Sequence, residues 1–324
     1  MKKVWLILIM MFLPFAAIMN GQPRQKYNEY VLSTSKGEVK VIEEIGAFSV
    51  GVSLDDLLQM VFQTDEIPNH YCTGTRIHLN LSGVFSRIER AWLHEEHKVR
   101  GVIGPFYFVS VDVFIYRSVD EAKKTFHRWS HSTMPDKPRM GSVSGIPIGE
   151  ECSNTFPFGG IMFRVGRVIA IVNARIKNAQ SLEDNAYFIE ALCLGIEYLL
   201  LQNPKVGAFP SKAKLFLASR QNGEIVLLHG VPVGRWGVLK NAGVRSKECR
   251  DEKEGHVYLY LTRDKYWVKV RAFSWEMETD KGKVKLERPV FPYKGELIVP
   301  LRQVAEALGI SVQQKGQTIA LLPK

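Results

Sequence analysis

The chain has 324 residues, of which 46% are hydrophobic and 23% are charged, with 26 Gly and 15 Pro. These values are ordinary for folded proteins and exclude a disordered, collagen-like or coiled-coil chain. A chain of this length exceeds what one hydrophobic core usually holds, so we expect two or three compact units. Four Cys without a CxxC pair exclude a disulfide-rich scaffold and the commonest zinc and redox motifs.

The N-terminus, residues 1–21, has the pattern of a secretory signal peptide. Lys2 and Lys3 precede an apolar stretch over 4–19 that one proline interrupts, and polar residues follow. Such a stretch is shorter than the roughly 20 residues that span a bilayer as a helix. We therefore expect export, with a mature chain that begins near Gln22 and lies outside the cytoplasm. An uncleaved N-terminal anchor is the alternative, because the cleavage site lacks the preferred small residue at its −3 position.

Basic residues are concentrated in the C-terminal part of the chain, which accounts for the net charge of +10. Residues 22–204 carry 19 Lys and Arg against 21 Asp and Glu, whereas residues 205–324 carry 22 against 12. This asymmetry indicates two modules with different partners. Turn-forming residues after an apolar helix pattern mark the boundary. We predict a first module over 38–203, a linker over 204–222 and a basic module over 223–324.

The first module combines strands with helices. Alternating apolar residues predict strands over 76–81 and 106–116 and a hairpin over 161–174. Helical patterns follow three serines suited to cap them, Ser53, Ser118 and Ser181. We predict an α+β fold in which each module is an antiparallel sheet with helices packed on one face, and we expect the modules to fold independently. The order of elements loosely resembles PsbP/Mog1 sandwich domains, a resemblance that gives no site residue.

The basic module contains strands, tight turns and one short helix. Strands alternate over 257–261 and 267–273, and Asp280-Lys281-Gly282 forms a further hairpin turn. Pro300 fits the first turn of a helix, and Gly309 supplies its left-handed end. The apolar face of this helix has the i, i+3, i+4, i+7 spacing of Leu301, Val304, Ala305 and Leu308.

Residues 295–322 resemble the copper amine oxidase N-terminal-like stalk domain of secreted bacterial proteins. The hallmark is a strand that runs into Val-Pro-Leu-Arg, a short helix that ends in Glu-Ala-Leu-Gly, and a hairpin. A weaker resemblance extends upstream to about residue 223. The resemblance to this family implies a non-catalytic module that supplies no copper ligands and serves as an envelope adaptor or in adhesion. Arg302 of this motif either pairs with Glu306 or contacts a ligand.

The first module offers few residues for catalysis or metal binding. His127 and His131 are four apart on a helix, but no third ligand is evident and we predict a solvent-exposed face. We expect no enzyme activity and no cofactor. The alternative is an exported hydrolase that uses Asp112, Glu150 or Glu151 as acid and base. Neighbouring residues of a strand point to opposite faces, so Glu150 and Glu151 are not expected to face each other.

The cysteines allow one or two disulfides in an oxidising compartment, with the pairing left open. If a bridge forms, we favour Cys72 with Cys152, because both lie in extended regions of the first module.

Cations of the basic module are candidates for contact with an anionic cell-wall polymer or lipid headgroups. Three of them alternate and would share one strand face, namely Lys281, Lys283 and Lys285. Others lie on or beside the preceding hairpin, namely Arg263, Lys265, Lys269 and Arg271. Dispersed charge for solubility is the alternative.

The leading interpretation is an exported, non-enzymatic binding or structural protein of a bacterial envelope. A membrane-anchored extracytoplasmic sensor is a further alternative, which requires the N-terminal segment to remain uncleaved. No nucleic-acid module is recognised, so we expect no nucleic acid as partner. The sequence identifies no protein partner.

Overall fold

The computed structural model of the protein describes residues 27–34, 37–95, 107–133, 143–155, 160–175, 182–217, 220–250 and 257–323. The predicted signal peptide, residues 1–21, lies outside these ranges. Within them the chain is an α+β protein with three sheets that are mainly antiparallel.

The first eight strands form one sheet in the order β1-β2-β3-β4-β5-β8-β7-β6. Neighbours are antiparallel except β2 and β3, which are parallel. The predicted hairpin is confirmed as β7 and β8. The strands are β1 Tyr27–Thr34, β2 Gly37–Glu44, β3 His70–Leu81, β4 Phe85–His94, β5 Phe108–Tyr116, β6 Glu151–Thr155, β7 Gly160–Val165 and β8 Val168–Arg175.

Helices lie on both faces of the first sheet, so the prediction of helices on one face is wrong for this module. Alternation in β5 and β7 supplies an apolar surface on each side. Helix α2 (Val119–Thr133) follows the short α1 (Leu54–Leu58) and packs on the side of Phe114 and Met162. Helix α3 (Leu182–Leu201) packs on the other side, in the cluster that contains Val113 and Phe163.

The remaining strands form a seven-stranded sheet, β17-β18-β11-β10-β9-β20-β19, and a five-stranded sheet, β12-β13-β14-β15-β16. They are β9 Ser211–Leu217, β10 Arg220–Leu228, β11 Val231–Arg235, β12 Arg245–Arg250, β13 Val257–Arg263, β14 Tyr266–Arg271, β15 Glu276–Thr279, β16 Gly282–Lys285, β17 Phe291–Tyr293, β18 Glu296–Pro300, β19 Ile310–Lys315 and β20 Thr318–Pro323.

The segment 204–222, predicted as a linker, contains regular structure. It includes a 3₁₀ turn, Pro204–Val206, and the whole of β9. Strand β9 pairs in parallel with β20 near the C-terminus, which places it inside the seven-stranded sheet. The second unit therefore begins before residue 223.

The short helix α4 (Leu301–Ala307) has the predicted apolar face and C-terminal end, whereas Pro300 precedes its first turn as an extended N-cap residue. Its apolar positions are fully buried, namely Leu301, Val304, Ala305 and Leu308. Gly309 has a φ of 71°, as a left-handed helix end requires. Arg302 Nε lies 3.1 Å from Glu306 Oε1, so the predicted i, i+4 pair is confirmed. The helix packs in the core shared by the inner face of the five-stranded sheet and the seven-stranded sheet.

The first unit shares its hydrophobic core with the second. One cluster contains Val113 and Phe163 of the first sheet together with Leu228, Phe273 and Phe291. A core that spans both units argues against the expected independent folding, because separation would expose apolar surface on each side.

Helix α3 places two carboxylates in this apolar environment, seven residues and therefore two turns apart. Glu190 accepts hydrogen bonds from the backbone N–H groups of Val143 and Ser144. Glu197 accepts one from Gly149 N at 3.0 Å. The two carboxylates thus fasten the segment 143–149 to the helix.

Despite the length of α3, the described ranges include no helix that meets the length and apolarity needed to cross a bilayer.

Candidate anion-binding face

The five-stranded sheet has one apolar side and one side that faces away from the core. Alternation turns Leu259, Leu261, Val268, Val270 and Met277 inward, where all are buried. The intervening residues form the opposite side, which we call the outer face. Its charged and aromatic members are Arg245, Lys247, Tyr258, Tyr260, Trp267, Lys269, Arg271, Glu276, Glu278, Lys283 and Lys285.

Strand register aligns side chains of the outer face in a row across all five strands. Lys247 is opposite Tyr260, and Tyr260 is opposite Lys269. Lys269 is opposite Glu278, which in turn is opposite Lys283. Since neighbouring strands are about 4.8 Å apart, the row extends roughly 19 Å.

Aromatic rings alternate with cations on this face. The rings of Tyr260 and Trp267 are stacked, with centroids 5.3 Å apart and planes inclined by 13°. Lys269 Nζ lies 4.0 Å from the centre of the Tyr258 ring, a cation–π contact. All three rings are half-buried, so part of each remains accessible to solvent.

Positive charge exceeds negative charge on the outer face. Its six cations are Arg245, Lys247, Lys269, Arg271, Lys283 and Lys285, and its two carboxylates are Glu276 and Glu278. Lys269 Nζ lies 3.4 Å from Glu278, so one cation is partly neutralised. Within the part of the chain that the structure describes, Arg245, Lys247, Arg271 and Lys283 form no ion pair. Their charges are therefore available to an anion.

Of the seven cations predicted from the sequence, four lie on the outer face and three lie elsewhere. The four on the outer face are Lys269, Arg271, Lys283 and Lys285. The expectation that Lys281 shares the strand face of Lys283 and Lys285 is wrong, because β16 begins at Gly282 and Lys281 lies in the turn before it. Lys265 lies at the tip of the β13–β14 hairpin, with Nζ 5.4 Å from the Tyr266 ring centre.

Arg263 belongs to the interior and is not a contact residue. Its side chain is 9% exposed. Nε donates to Ala242 O at 3.1 Å, and Nη1 donates to the carbonyls of Leu308 and Gly309 at 3.3 and 3.1 Å. The guanidinium therefore joins β13 to the end of α4.

The sequence prediction missed the tyrosines of β13 and the cations of β12 as members of the same face. Tyr258 and Tyr260 alternate with the buried Leu259 and Leu261, a pattern that is visible in the sequence. The pairing of β12 with β13 is what brings Lys247 beside Tyr260, and strand pairing is not readable from local sequence.

The favoured disulfide between Cys72 and Cys152 does not form in the structure. Cys72 lies in β3 and Cys152 in β6, with β4, β5, β8 and β7 between them. At about 4.8 Å per strand the separation is on the order of 24 Å, far beyond the roughly 7 Å limit between Cα atoms of a disulfide.

The carboxylates of the alternative hydrolase site are held by arginines. Glu150 precedes β6, so strand alternation does not separate it from Glu151, contrary to the sequence argument. Arg164 bridges them, with Nη2 2.7 Å from Glu150 and Nε 2.6 Å from Glu151. His127 Nε2 lies 3.1 Å from Glu151 Oε1, and the His127 side chain is 41% exposed, so it lies beside β6 on a face that solvent reaches. The side chain of His131 lies outside the described residues.

Asp112 belongs to a second group of charges on the first sheet. Arg87 donates to Asp112 Oδ1 from Nε at 3.0 Å and from Nη2 at 2.6 Å, and Nη2 lies 3.2 Å from Glu89. Burial raises the pKa of Glu89, and the neighbouring Asp112 adds to this effect. Across the described ranges, no group of three or more His, Cys, Asp or Glu is arranged to hold a metal ion.

Residues 245–322 match the family model of the copper amine oxidase N-terminal domain. The match begins at the first residue of β12 and extends into β20, so it covers the outer face and α4 but not β9–β11. No curated protein and no solved structure matches the chain. The predicted C-terminal domain is therefore confirmed over these residues.

Proposed function

We propose that the protein is an exported, non-enzymatic binding or adaptor protein of a bacterial envelope, and that its outer face contacts an anionic envelope polymer. The observation that carries the proposal is the gathering of six cations against two carboxylates on one side of the five-stranded sheet. A domain resembling the stalk domain of secreted proteins and a leader-like N-terminus support the extracytoplasmic location.

The binding is tested with the mature chain, residues 22–324, because the two units share a core. Retention is measured on purified cell walls, on walls stripped of their anionic polymers, and on phosphatidylglycerol vesicles. We expect retention on intact walls only, lost as the Debye length falls from about 10 Å at 0.1 M salt to about 3 Å at 1 M. Retention on vesicles alone would assign the face to lipid headgroups, and equal retention on stripped walls would contradict the proposal.

A double variant connects the retention to the outer face. Lys247→Ala with Lys283→Ala removes two cations from the face and should weaken retention several-fold. The matched control is Lys123→Ala with Lys124→Ala, which removes the same charge from exposed positions of α2. Equal effects of the two double variants would reduce the binding to net charge and contradict a defined face.

The location is tested at the N-terminus. We propose cleavage near Gln22 and release from the membrane, with an anchored sensor as the alternative. Mass spectrometry of protein purified from its native envelope distinguishes the two, because an anchored chain retains residues 1–21 in the membrane fraction.

The hydrolase alternative has one favourable observation, the raised pKa of Glu89 beside Asp112, since acid and base pairs depend on carboxyls with separated pKa values. Arg87 bonds both carboxylates, however, which is the arrangement of a structural ion-pair network. Hydrolysis of envelope glycans that is abolished by Glu89→Gln would favour the enzyme.

A further inference from the structure

We propose that the polymer bound by the outer face is an acidic glycan, whose sugar rings pack on Tyr260 and Trp267 while its anionic groups bind the surrounding cations. The inference rests on the proposed function and specifies the chemical class of its ligand.

The aromatic rings are the observation that charge alone does not explain. Tyr258, Tyr260 and Trp267 belong to none of the three hydrophobic clusters of the described residues, and they lie on the side of the sheet away from α4. A face that served only solubility would carry polar side chains at these positions, because exposed aromatic surface favours association. A face that bound any polyanion by charge would not need the rings either.

Sugar chemistry accounts for both components of the face. A pyranose presents C–H groups on its ring faces, which pack flat against an aromatic ring, and presents hydroxyl and acidic groups at its edge. Tyr and Trp combine an apolar ring with a polar atom, as such a ligand requires. Carboxylates at the sugar edge form charge-assisted hydrogen bonds with Lys and Arg. Register places Lys247 and Lys269 on either side of Tyr260, so a sugar on that ring lies within reach of two cations.

The dimensions favour an oligosaccharide over a monosaccharide. The row from Lys247 to Lys283 extends roughly 19 Å across five strands. Cations lie at both ends of this row, with the rings towards the β12 side. A chain of acidic sugars can therefore contact the rings and both sets of cations together.

A single-stranded nucleic acid also combines flat rings with negative charge, and aromatic side chains in basic grooves stack its bases. The leader-like N-terminus favours the glycan, because the proposed export takes the chain out of the cytoplasm and away from its nucleic acids. Nucleic acid is therefore retained as an outcome of the experiment.

The experiment compares three polyanions with the mature chain at one low ionic strength. The probes are polygalacturonate, which has acidic pyranose rings, polyacrylate, which has carboxylates without rings, and oligo(dT). Neutral dextran reports the contribution of rings without charge. We expect polygalacturonate to bind about tenfold more tightly than polyacrylate at equal concentration of charge, as ring stacking of the usual strength would give. Oligo(dT) should bind more weakly than polygalacturonate, and dextran should not bind measurably.

Two ring variants test the residues. Trp267→Leu and Tyr260→Leu keep an apolar side chain in the strand and should each reduce polygalacturonate affinity about tenfold while changing polyacrylate affinity less than about twofold. Lys247→Ala with Lys283→Ala should weaken both polymers. Circular dichroism and thermal unfolding verify that each variant is folded. If Trp267→Leu does not fold, Tyr260→Leu and the comparison of the two polymers with the wild type still decide whether the rings contribute to binding.

The outcomes separate the inference from the function on which it rests. Binding to neither polymer would overturn the proposed function. Equal affinity for both polymers, or ring variants that leave their ratio unchanged, would overturn the glycan and leave a simple polyanion contact. Oligo(dT) that binds as tightly as polygalacturonate would assign the face to nucleic acid and also overturn the glycan.

Discussion

Glu197 on α3 accepts a hydrogen bond from the ring of His229, whose Nε2 lies 3.0 Å from Oε2. The Glu197 side chain is 5% exposed, and His229 lies in the turn between β10 and β11. Arg288 donates to His229 O at 2.9 Å and thereby fixes the same turn. A buried carboxylate of the first unit thus bonds a residue of the second, directly after Leu228 of the shared core.

We expect Glu197→Ala to lower the free energy of unfolding by about 2–4 kcal/mol, because it leaves Gly149 N and the His229 ring without their acceptor in a buried site. The measurement is denaturant unfolding at neutral pH. Glu38→Ala, at an exposed position of β2, is the control and should change stability by less than about 0.5 kcal/mol. Equal effects of the two variants would contradict a structural role for the buried carboxylate.

The shared core also predicts how the whole chain unfolds. We expect one cooperative transition for residues 22–324, and we expect the fragment 38–203 to aggregate or to bind hydrophobic dyes. The reason is that the fragment exposes the surface covered in the full chain by Leu228, Phe273 and Phe291. A fragment with native-like near-UV dichroism and its own sharp transition would contradict this prediction.

Gly195 provides a local test of the same interface. A Cβ at this position would lie 2.5 Å from Phe62 Cζ and 3.3 Å from Phe291 Cβ. We expect Gly195→Ala to destabilise the protein by about 1–3 kcal/mol, since this overpacking outweighs the gain in helix propensity of roughly 1 kcal/mol. Gly74 in β3 is a matched control, because a Cβ there meets nothing within 4 Å. Gly74→Ala should leave the midpoint of unfolding unchanged or slightly raised.

Local patterns predicted the elements that depend on local contacts. The face of α4, its end at Gly309 and the Arg302–Glu306 pair all follow from spacings of three to eight residues. Spacing in the sequence did not reveal Arg263 as a buried residue, because its acceptors are up to 46 residues away. Nor did it reveal the position of Glu197, whose partner His229 is 32 residues away.

The candidate site illustrates the same limit. Alternation predicted a shared face for Lys283 and Lys285, and both lie on the outer face, because side-chain direction depends only on the strand that carries the residue. The row that joins Lys247 to Lys283 depends on the pairing of five strands, and the disulfide prediction failed for the same reason. Sheet order is set by the whole chain, since it requires simultaneous burial of all the strands.

His78 predicts how stability depends on pH. Burial lowers the pKa of His78 to about 4, and the nearby cations Arg87, Arg76 and Lys40 contribute, against a smaller opposite effect of Glu29. The unfolded chain has a His pKa near 6.5, so between pH 6.5 and 4 the unfolded state binds a proton that the folded state does not. The free energy of unfolding should therefore decrease as the pH falls from 6.5 to 4. We expect a decrease on the order of 2 kcal/mol, after allowance for partial exposure of the His78 ring.

Urea unfolding of the wild type and of His78→Gln at pH 7.5, 6 and 5 measures this contribution. We expect the stability difference between the two proteins to shift in favour of the variant as the pH falls, because the variant has no proton to bind at this position. Carboxyl groups titrate equally in both proteins and cancel in the difference. A difference that is constant over this range would contradict the lowered pKa.

Arg263 and Lys265 are two residues apart and have opposite predicted roles. Arg263 donates to Ala242, Leu308 and Gly309 carbonyls, whereas Lys265 is exposed at the hairpin tip. We expect Arg263→Ala to cost about 3 kcal/mol of stability, because three buried acceptors lose their donor. Lys265→Ala should cost less than about 0.5 kcal/mol. Arg263→Lys tests geometry, since a single ammonium cannot reproduce the planar fork that bonds the Ala242 carbonyl together with the carbonyls at the end of α4, and it should recover only part of the loss.

Polyanion retention of the same variants, compared at a temperature where each is folded, separates structure from binding. The Arg263→Ala variant should be retained on cell walls as well as the Arg263→Lys variant, because the guanidinium of Arg263 is buried beneath the sheet and away from the outer face. Lys265→Ala should also bind like the wild type, since only members of the outer face are expected to contact the polymer. A loss of retention in folded Arg263→Ala that Arg263→Lys restores would place this charge in the binding surface and contradict its assignment to the interior.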